Sequence, residues 1–216
     1  MTLKKIKVKI CGITDEAALE AAAVNGADMV GLVFFAKSPR HVTVERAAQL
    51  LDGLPRAIKR VGLFVDPDDG LLGQVMNNVR LDYFQLHGNE SPDRIEAVRQ
   101  EFGMPVIKAI GLAQASDLDA AKIYEKVADW LLFDAKAPAG ADRPGGNARS
   151  FDWAMLKERR WSCPWLLAGG LRPETVAEAI RQSGAKAVDV SSGVERAPGV
   201  KDPALIAEFI AQAKRG

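Results

Sequence analysis

The feature that most constrains this chain is a regular beat. Eight short β-rich runs occur within 216 residues, each followed by a stretch of helical spacing. The runs lie at 7–11, 29–34, 60–65, 83–86, 106–110, 130–133, 165–168 and 187–190. Helical spacing covers 15–25, 44–51, 70–79, 93–101, 115–126, 151–159, 173–182 and 203–214. Thr14, Thr43, Asp69 and Ser91 stand where helix N-caps stand, and Pro92 follows Ser91 at a first helical position. Strict alternation of strand and helix argues for a parallel sheet. Eight such units leave no length for a second domain and favour closure over an open sheet. The expected fold is α/β, a single (β/α)₈ barrel of eight parallel strands, with residues 1–216 as one catalytic domain.

Composition narrows the function classes. Hydrophobic residues make up 48% of the chain, enough for a sizeable core. No run of about 18 apolar residues occurs, so no membrane span is expected. The opening MTLKKIKVKICGIT alternates polar with apolar, which reads as a strand and not as the apolar centre of a signal peptide. The 29 basic and 28 acidic residues give a net charge of +1 without a basic cluster, so nucleic acid is not an expected partner. The two cysteines, Cys11 and Cys163, have no metal-site spacing. A reduced, cytoplasmic enzyme acting on a small molecule is the simplest setting.

In a (β/α)₈ barrel the chemistry sits at the C-terminal ends of the strands. Strand one ends at Cys11. By alternation Lys7, Lys9 and Cys11 point into the barrel, while Ile6, Val8 and Ile10 face the helices. A cation beside a thiol lowers its pKa and makes it a base or nucleophile; taken alone, Cys11 reads equally well as a small buried hydrophobe. An inward Lys9 must find a carboxylate or other acceptors. Strand six ends in Asp134, before the long Gly/Pro-rich loop 135–150. Burial there would favour a neutral carboxyl able to donate a proton, or the group could simply anchor its loop. Small residues follow strand seven (Gly169-Gly170) and strand eight (Asp189-Val190-Ser191-Ser192-Gly193), where barrels commonly hold phosphate on backbone amides. Arg40, in the loop after strand two, could meet an anion or stack on a ring. His87, after strand four, is a further acid/base candidate or a group that orients a loop.

These segments resemble the phosphoribosylanthranilate isomerase family. The resemblance is carried in order by Lys9-Ile10-Cys11-Gly12-Ile13-Thr14, Ser38-Pro39-Arg40, Gln85-Leu86-His87-Gly88 and Phe151-Asp152-Trp153. It continues through Ala168-Gly169-Gly170-Leu171 and Asp189-Val190-Ser191-Ser192-Gly193-Val194-Glu195, and so spans nearly the whole chain. One departure is Gly145-Gly146-Asn147-Ala148, where the family often has Gly-Gly-Thr-Gly. The resemblance implies an Amadori rearrangement of N-(5-phosphoribosyl)anthranilate in tryptophan biosynthesis, with Asp134 as acid and Cys11 as base. It implies Arg40, Gly169, Gly170, Asp189, Ser192 and Gly193 as substrate-binding residues, with Lys9 and His87 behind the reacting groups. No cofactor and no metal is expected, and the chain is expected to be a monomer or homodimer. The rivals are other phosphate-binding barrels, such as indole-glycerol-phosphate synthase or a pentose-phosphate epimerase, and a catalytically dead binding barrel. The epimerase holds a metal partly through histidines, and only His41 and His87 occur here.

Overall fold

The computed structural model describes residues 6–137, 140, 143–146 and 150–215. Eight parallel strands close into a barrel: β1 (Lys7–Cys11), β2 (Met29–Val33), β3 (Lys59–Phe64), β4 (Tyr83–Leu86), β5 (Val106–Leu112), β6 (Trp130–Ala135), β7 (Trp165–Leu167) and β8 (Ala187–Val190). Pairing of β1 with β8 completes the ring and sets Lys9 directly against Asp189. The strand positions agree with the sequence reading to within one or two residues at each end.

Helices α1 (Glu16–Val24), α2 (Val44–Leu51), α3 (Asp69–Asn78), α4 (Pro92–Phe102), α5 (Asp117–Tyr124), α6 (Val176–Ser183) and α7 (Pro203–Arg215) follow the strands. Thr43 and Ser91 cap α2 and α4 as expected, accepting from the amides of Arg46 and Arg94. Two other caps fall one residue away from their expected places. Asp15, not Thr14, accepts from Ala18 N at the start of α1, and Asp68, not Asp69, accepts from Leu71 N at the start of α3. The Thr14 hydroxyl is used elsewhere, donating to Gly199 O at 3.3 Å.

The helix expected over 151–159 is replaced by a 3₁₀ turn at Trp153–Leu156, capped by Asp152. Short helices are held by burying a face. Leu156 is buried, but the next four residues, Lys157 to Arg160, are all charged and exposed, so a longer helix would have nothing to pack. Pro164 also biases Cys163 away from helical backbone. A second element not foreseen is a hairpin between β8 and α7. After the 3₁₀ turn Ser192–Val194, β9 (Glu195–Ala197) pairs antiparallel with β10 (Val200–Lys201), setting Lys201 opposite Glu195.

The strands carry two apolar layers, one outside the barrel and one within it. The outer faces of the strands pack against the helices through residues such as Ile10, Leu32, Phe64, Phe84, Phe133 and Val188. Inside, Met29, Val61, Ile107, Leu132, Leu166 and Ala187 fill the lower tube as a separate cluster. The barrel is thus plugged below, and inward side chains nearer the C-terminal strand ends form the floor of a pocket. Of the expected inward lysines, Lys9 is fully buried, whereas Lys7 is exposed at the opposite end, its ammonium 5.2 Å from the Trp130 ring centre.

Candidate active site

The pocket at the C-terminal rim is lined by Cys11, Phe35, Arg40, Gln85, His87, Asp134, Arg143, Gly145, Gly146, Asp189 and Ser191, among others. It adjoins a second recess, built from the ends of β7 and β8, that shares Asp134, Gly146, Asp189 and Ser191 and adds Gly169, Gly170, Ser192 and Gly193. Every site residue expected from the sequence lines one of these two recesses except Lys9, which lies directly beneath. The structure brings together residues from strands far apart in the chain because all parallel strands end at the same rim.

Beneath the base candidate, Lys9 Nζ donates to Asp189 Oδ1 at 2.8 Å. Gly31, the cross-strand partner of Cys11, leaves room for both side chains: a methyl group there would lie 3.0 Å from Cys11 Sγ and 3.2 Å from Lys9 Nζ. Burial alone would lower the pKa of Lys9, but Asp189 and Cys11 outweigh it and hold the ammonium above its ordinary range. For Cys11 the balance goes the other way. Burial pushes the thiol up further than Lys9 and Lys201 pull it down. The cation expected beside this thiol is therefore present, and it limits a rise instead of producing a fall.

Across the pocket, Asp134 Oδ1 accepts from Ala135 N at 2.8 Å, and Oδ2 lies 3.4 Å from His87 Nε2. Gln85, fully buried, reaches His87 Nδ1 with Nε2 at 3.2 Å. The imidazole thus bridges the Gln85 side chain and the Asp134 carboxyl. The loop that carries His87 is braced from outside: Lys108 Nζ donates to Glu90 Oε2 at 2.6 Å and to Gly88 O at 2.7 Å. Gly145 closes over this group. A side-chain carbon at 145 would sit 2.7 Å from Asp134 Oδ2 and 2.8 Å from His87, so only glycine admits that approach. Asn147 and Ala148, where the chain departs from the family pattern, lie outside the described residues, as does part of the loop 135–150.

In the second recess the backbone turns through Gly169 and Gly170 with φ of 84° and 66°. Ser192 and Gly193 open a 3₁₀ turn, and the first amides of such a turn have no acceptor within it. Both turns line one recess, and amides at the start of such turns are general anion binders.

Arg40 is not the exposed loop residue that its charge alone would suggest. It is 5% exposed, and its Nε and Nη2 donate to Glu195 Oε1 and Oε2 at 2.7 and 2.9 Å. Lys201 Nζ donates to the same Glu195 Oε1 at 2.7 Å and to Ser191 O at 2.8 Å. Burial would raise the Glu195 carboxyl, but its bonds to Arg40 and Lys201 hold it below the usual carboxylate range. Glu195 stood within a recognised motif without a role, and Lys201 carried no signal at all. Only the hairpin places them. Among the described residues, no group of three or more His, Cys, Asp or Glu side chains could hold a metal ion.

Comparison with known proteins identifies the family. A family model described as N-(5′-phosphoribosyl)anthranilate (PRA) isomerase matches residues 8–212. The N-(5′-phosphoribosyl)anthranilate isomerase of Paramagnetospirillum magneticum is 60% identical over 211 residues, 98% of each chain. The crystal structure of phosphoribosyl anthranilate isomerase from Thermotoga maritima superposes with a TM-score of 0.88 at 37% identity, covering 98% of this chain and all of that one. A phosphoribosyl anthranilate isomerase in complex with reduced 1-(o-carboxyphenylamino)-1-deoxyribulose 5-phosphate superposes with a TM-score of 0.84 at 35% identity, over 98% of this chain and 100% of that one. The chain belongs to the N-(5′-phosphoribosyl)anthranilate isomerase family.

Proposed function

We propose that Cys11 and Asp134 are the base and the acid of an Amadori rearrangement carried out in the rim pocket. The chain is an isomerase of tryptophan biosynthesis that converts N-(5-phosphoribosyl)anthranilate to 1-(2-carboxyphenylamino)-1-deoxyribulose 5-phosphate. The observation that carries the assignment of roles is the placement of Cys11 and Asp134 on one pocket that runs into the glycine turns after β7 and β8. Asp134 protonates the furanose ring oxygen as its bond to C1 breaks, leaving a protonated Schiff base between C1 and the anthranilate nitrogen. Cys11, as thiolate, takes the C2 proton. The electron pair moves toward C1 and neutralises the nitrogen, giving an enol at C2. The enol tautomerises to the ketone as its C2 hydroxyl gives a proton to the Asp134 carboxylate and C1 takes one from the Cys11 thiol, which restores both groups. Each proton transfer is of the kind that a positioned side chain accelerates by about 10²–10⁴.

The phosphate is held by backbone amides near Gly169, Gly170, Ser192 and Gly193, and Asp189 keeps Lys9 beneath Cys11. Arg40 meets the anthranilate carboxylate. Residues 1–216 act as one catalytic domain, with neither metal nor organic cofactor, in the cytoplasm. No helix among the described residues is long and apolar enough to cross a membrane. The partner is a small phosphorylated molecule and not nucleic acid. The protein is a monomer or homodimer; one structural neighbour is described as monomers generated from a dimeric enzyme of Thermotoga maritima. Freshly prepared N-(5-phosphoribosyl)anthranilate should lose its anthranilate-type fluorescence on addition of the protein, and absence of turnover would refute the reading.

A further inference from the structure

The buried charges behind Arg40 do not cancel. The bidentate pair of Arg40 with Glu195 is neutral by itself. Lys201 adds a second cation to the same carboxylate, in direct cross-strand register on the hairpin. All three side chains are removed from water: Lys201 is 0% exposed, Arg40 6% and Glu195 4%. The neighbouring pair, Lys9 with Asp189, is neutral in itself and offsets nothing. Burial draws the Lys201 pKa below its ordinary range while the bond to Glu195 holds the proton in place. Among the described residues the protonated trio carries one positive charge more than it can pair, and buried charge is costly unless it is matched. Glu195 takes Nε and Nη2 of Arg40, which leaves Nη1 without an acceptor among the described residues. That guanidinium forms part of the pocket wall shared with Cys11 and Asp134.

We propose that Lys201 is a specificity-determining residue: by saturating Glu195 from behind, it leaves Arg40 with an unmatched positive charge that selects a carboxylate on the aromatic part of the ligand. Without Lys201, Arg40 and Glu195 would form a closed, neutral pair with little attraction for an anion. Glu195 acts as a positioning residue that fixes the plane of the guanidinium. This inference rests on the reading of Arg40 given above. It differs from a merely structural role, in which Lys201 would only tie the hairpin to Ser191 O.

The test compares inhibition by two phosphorylated reduced-product analogues that are identical except that one lacks the ring carboxylate. The ratio of their inhibition constants cancels damage to the phosphate loop and does not depend on the fraction of folded protein. The parent should favour the carboxylate. Lys201→Gln, which keeps a donor toward Glu195 and Ser191, should cut that preference about tenfold. Lys201→Met provides a second charge-free variant and should do the same, while Lys201→Arg should restore the parental ratio. An unchanged ratio in the charge-free variants overturns the proposal. So does an equal loss in Lys201→Arg, because charge would then not be the cause. Arg40→Ala separates the two levels. If it keeps the carboxylate preference, the reading of Arg40 itself falls; if it abolishes the preference while Lys201→Gln does not, only the inference about Lys201 falls.

Discussion

On the β1 and β8 side of the pocket, Cys11 lies among paired charges; on the β4 and β6 side, Asp134 is held by a backbone amide and an imidazole, with Arg40 and Arg143 elsewhere on the same pocket wall. Lys9, Asp189 and Lys201 all act electrostatically on the thiol. Around Asp134 the described contacts are the Ala135 amide, the His87 imidazole and the close approach of Gly145. Among the described residues no Lys or Arg forms an ion pair with Asp134. The difference matches the tasks proposed for the two groups. A thiol must lose its proton to act as a base, and a nearby cation favours that loss. A carboxyl that supplies a proton is better served when no lysine or arginine pairs with it directly. Lys9 is engaged by Asp189 and forms no ion pair with Asp134.

The comparison breaks most visibly if either reacting group proves dispensable. Cys11→Ala should lower kcat by about 10²–10⁴ while binding of the reduced product analogue changes little. Near-parental turnover would make Cys11 a packing residue. Asp134→Asn should fold, bind the same analogue and lose at least about 10²-fold in kcat. If it turns over normally, Asp134 is only a loop anchor and the two sides of the pocket are not an acid and a base.

A smaller effect distinguishes charge from shape on the β1 side. Because burial raises the Cys11 pKa, the thiolate fraction at neutral pH is small, and turnover should climb as pH rises toward that pKa. Lys9→Met removes a cation that favours the thiolate and releases the Asp189 charge beside it; both changes push the thiol further up. The variant should lose roughly tenfold to a hundredfold in kcat/KM at pH 7, with the deficit shrinking as pH increases. A loss that is the same at every pH would show that Lys9 serves packing and not the ionisation of Cys11. Melting temperature must be followed in parallel, since an unpaired buried Asp189 is itself destabilising, by about 3–5 kcal/mol.

The smallest effect is expected on the β4 side. His87→Gln retains an amide donor toward Asp134 but loses the ring that bridges Asp134 to Gln85. It should cost about threefold to tenfold in kcat with little change in KM, the scale of one hydrogen bond. A loss as large as that of Asp134→Asn would move His87 into direct proton transfer and erase the contrast between the two sides.

The repeating pattern alone specified eight strands, their parallel order and their inward parity, because these depend on spacing along a few residues. Lys9 and Cys11 were correctly turned inward on that basis, and the glycine turns after β7 and β8 were placed at the correct rim. The helix expected over 151–159 failed for a related reason. The spacing there was helical, but whether four charged residues have anything to bury is a property of the surroundings. The pairing of charges was decided only by closure of the barrel. Lys9 and Asp189 lie 180 positions apart, and Arg40 and Glu195 lie 155 apart. No local pattern joins such residues, and each charge had several partners available in the sequence. Closing β1 against β8 and folding the β9–β10 hairpin over Arg40 selected one partner for each. The same closure removed water from Cys11, which is why the direction of its pKa shift depends on the tertiary structure and not on the nearby lysine alone.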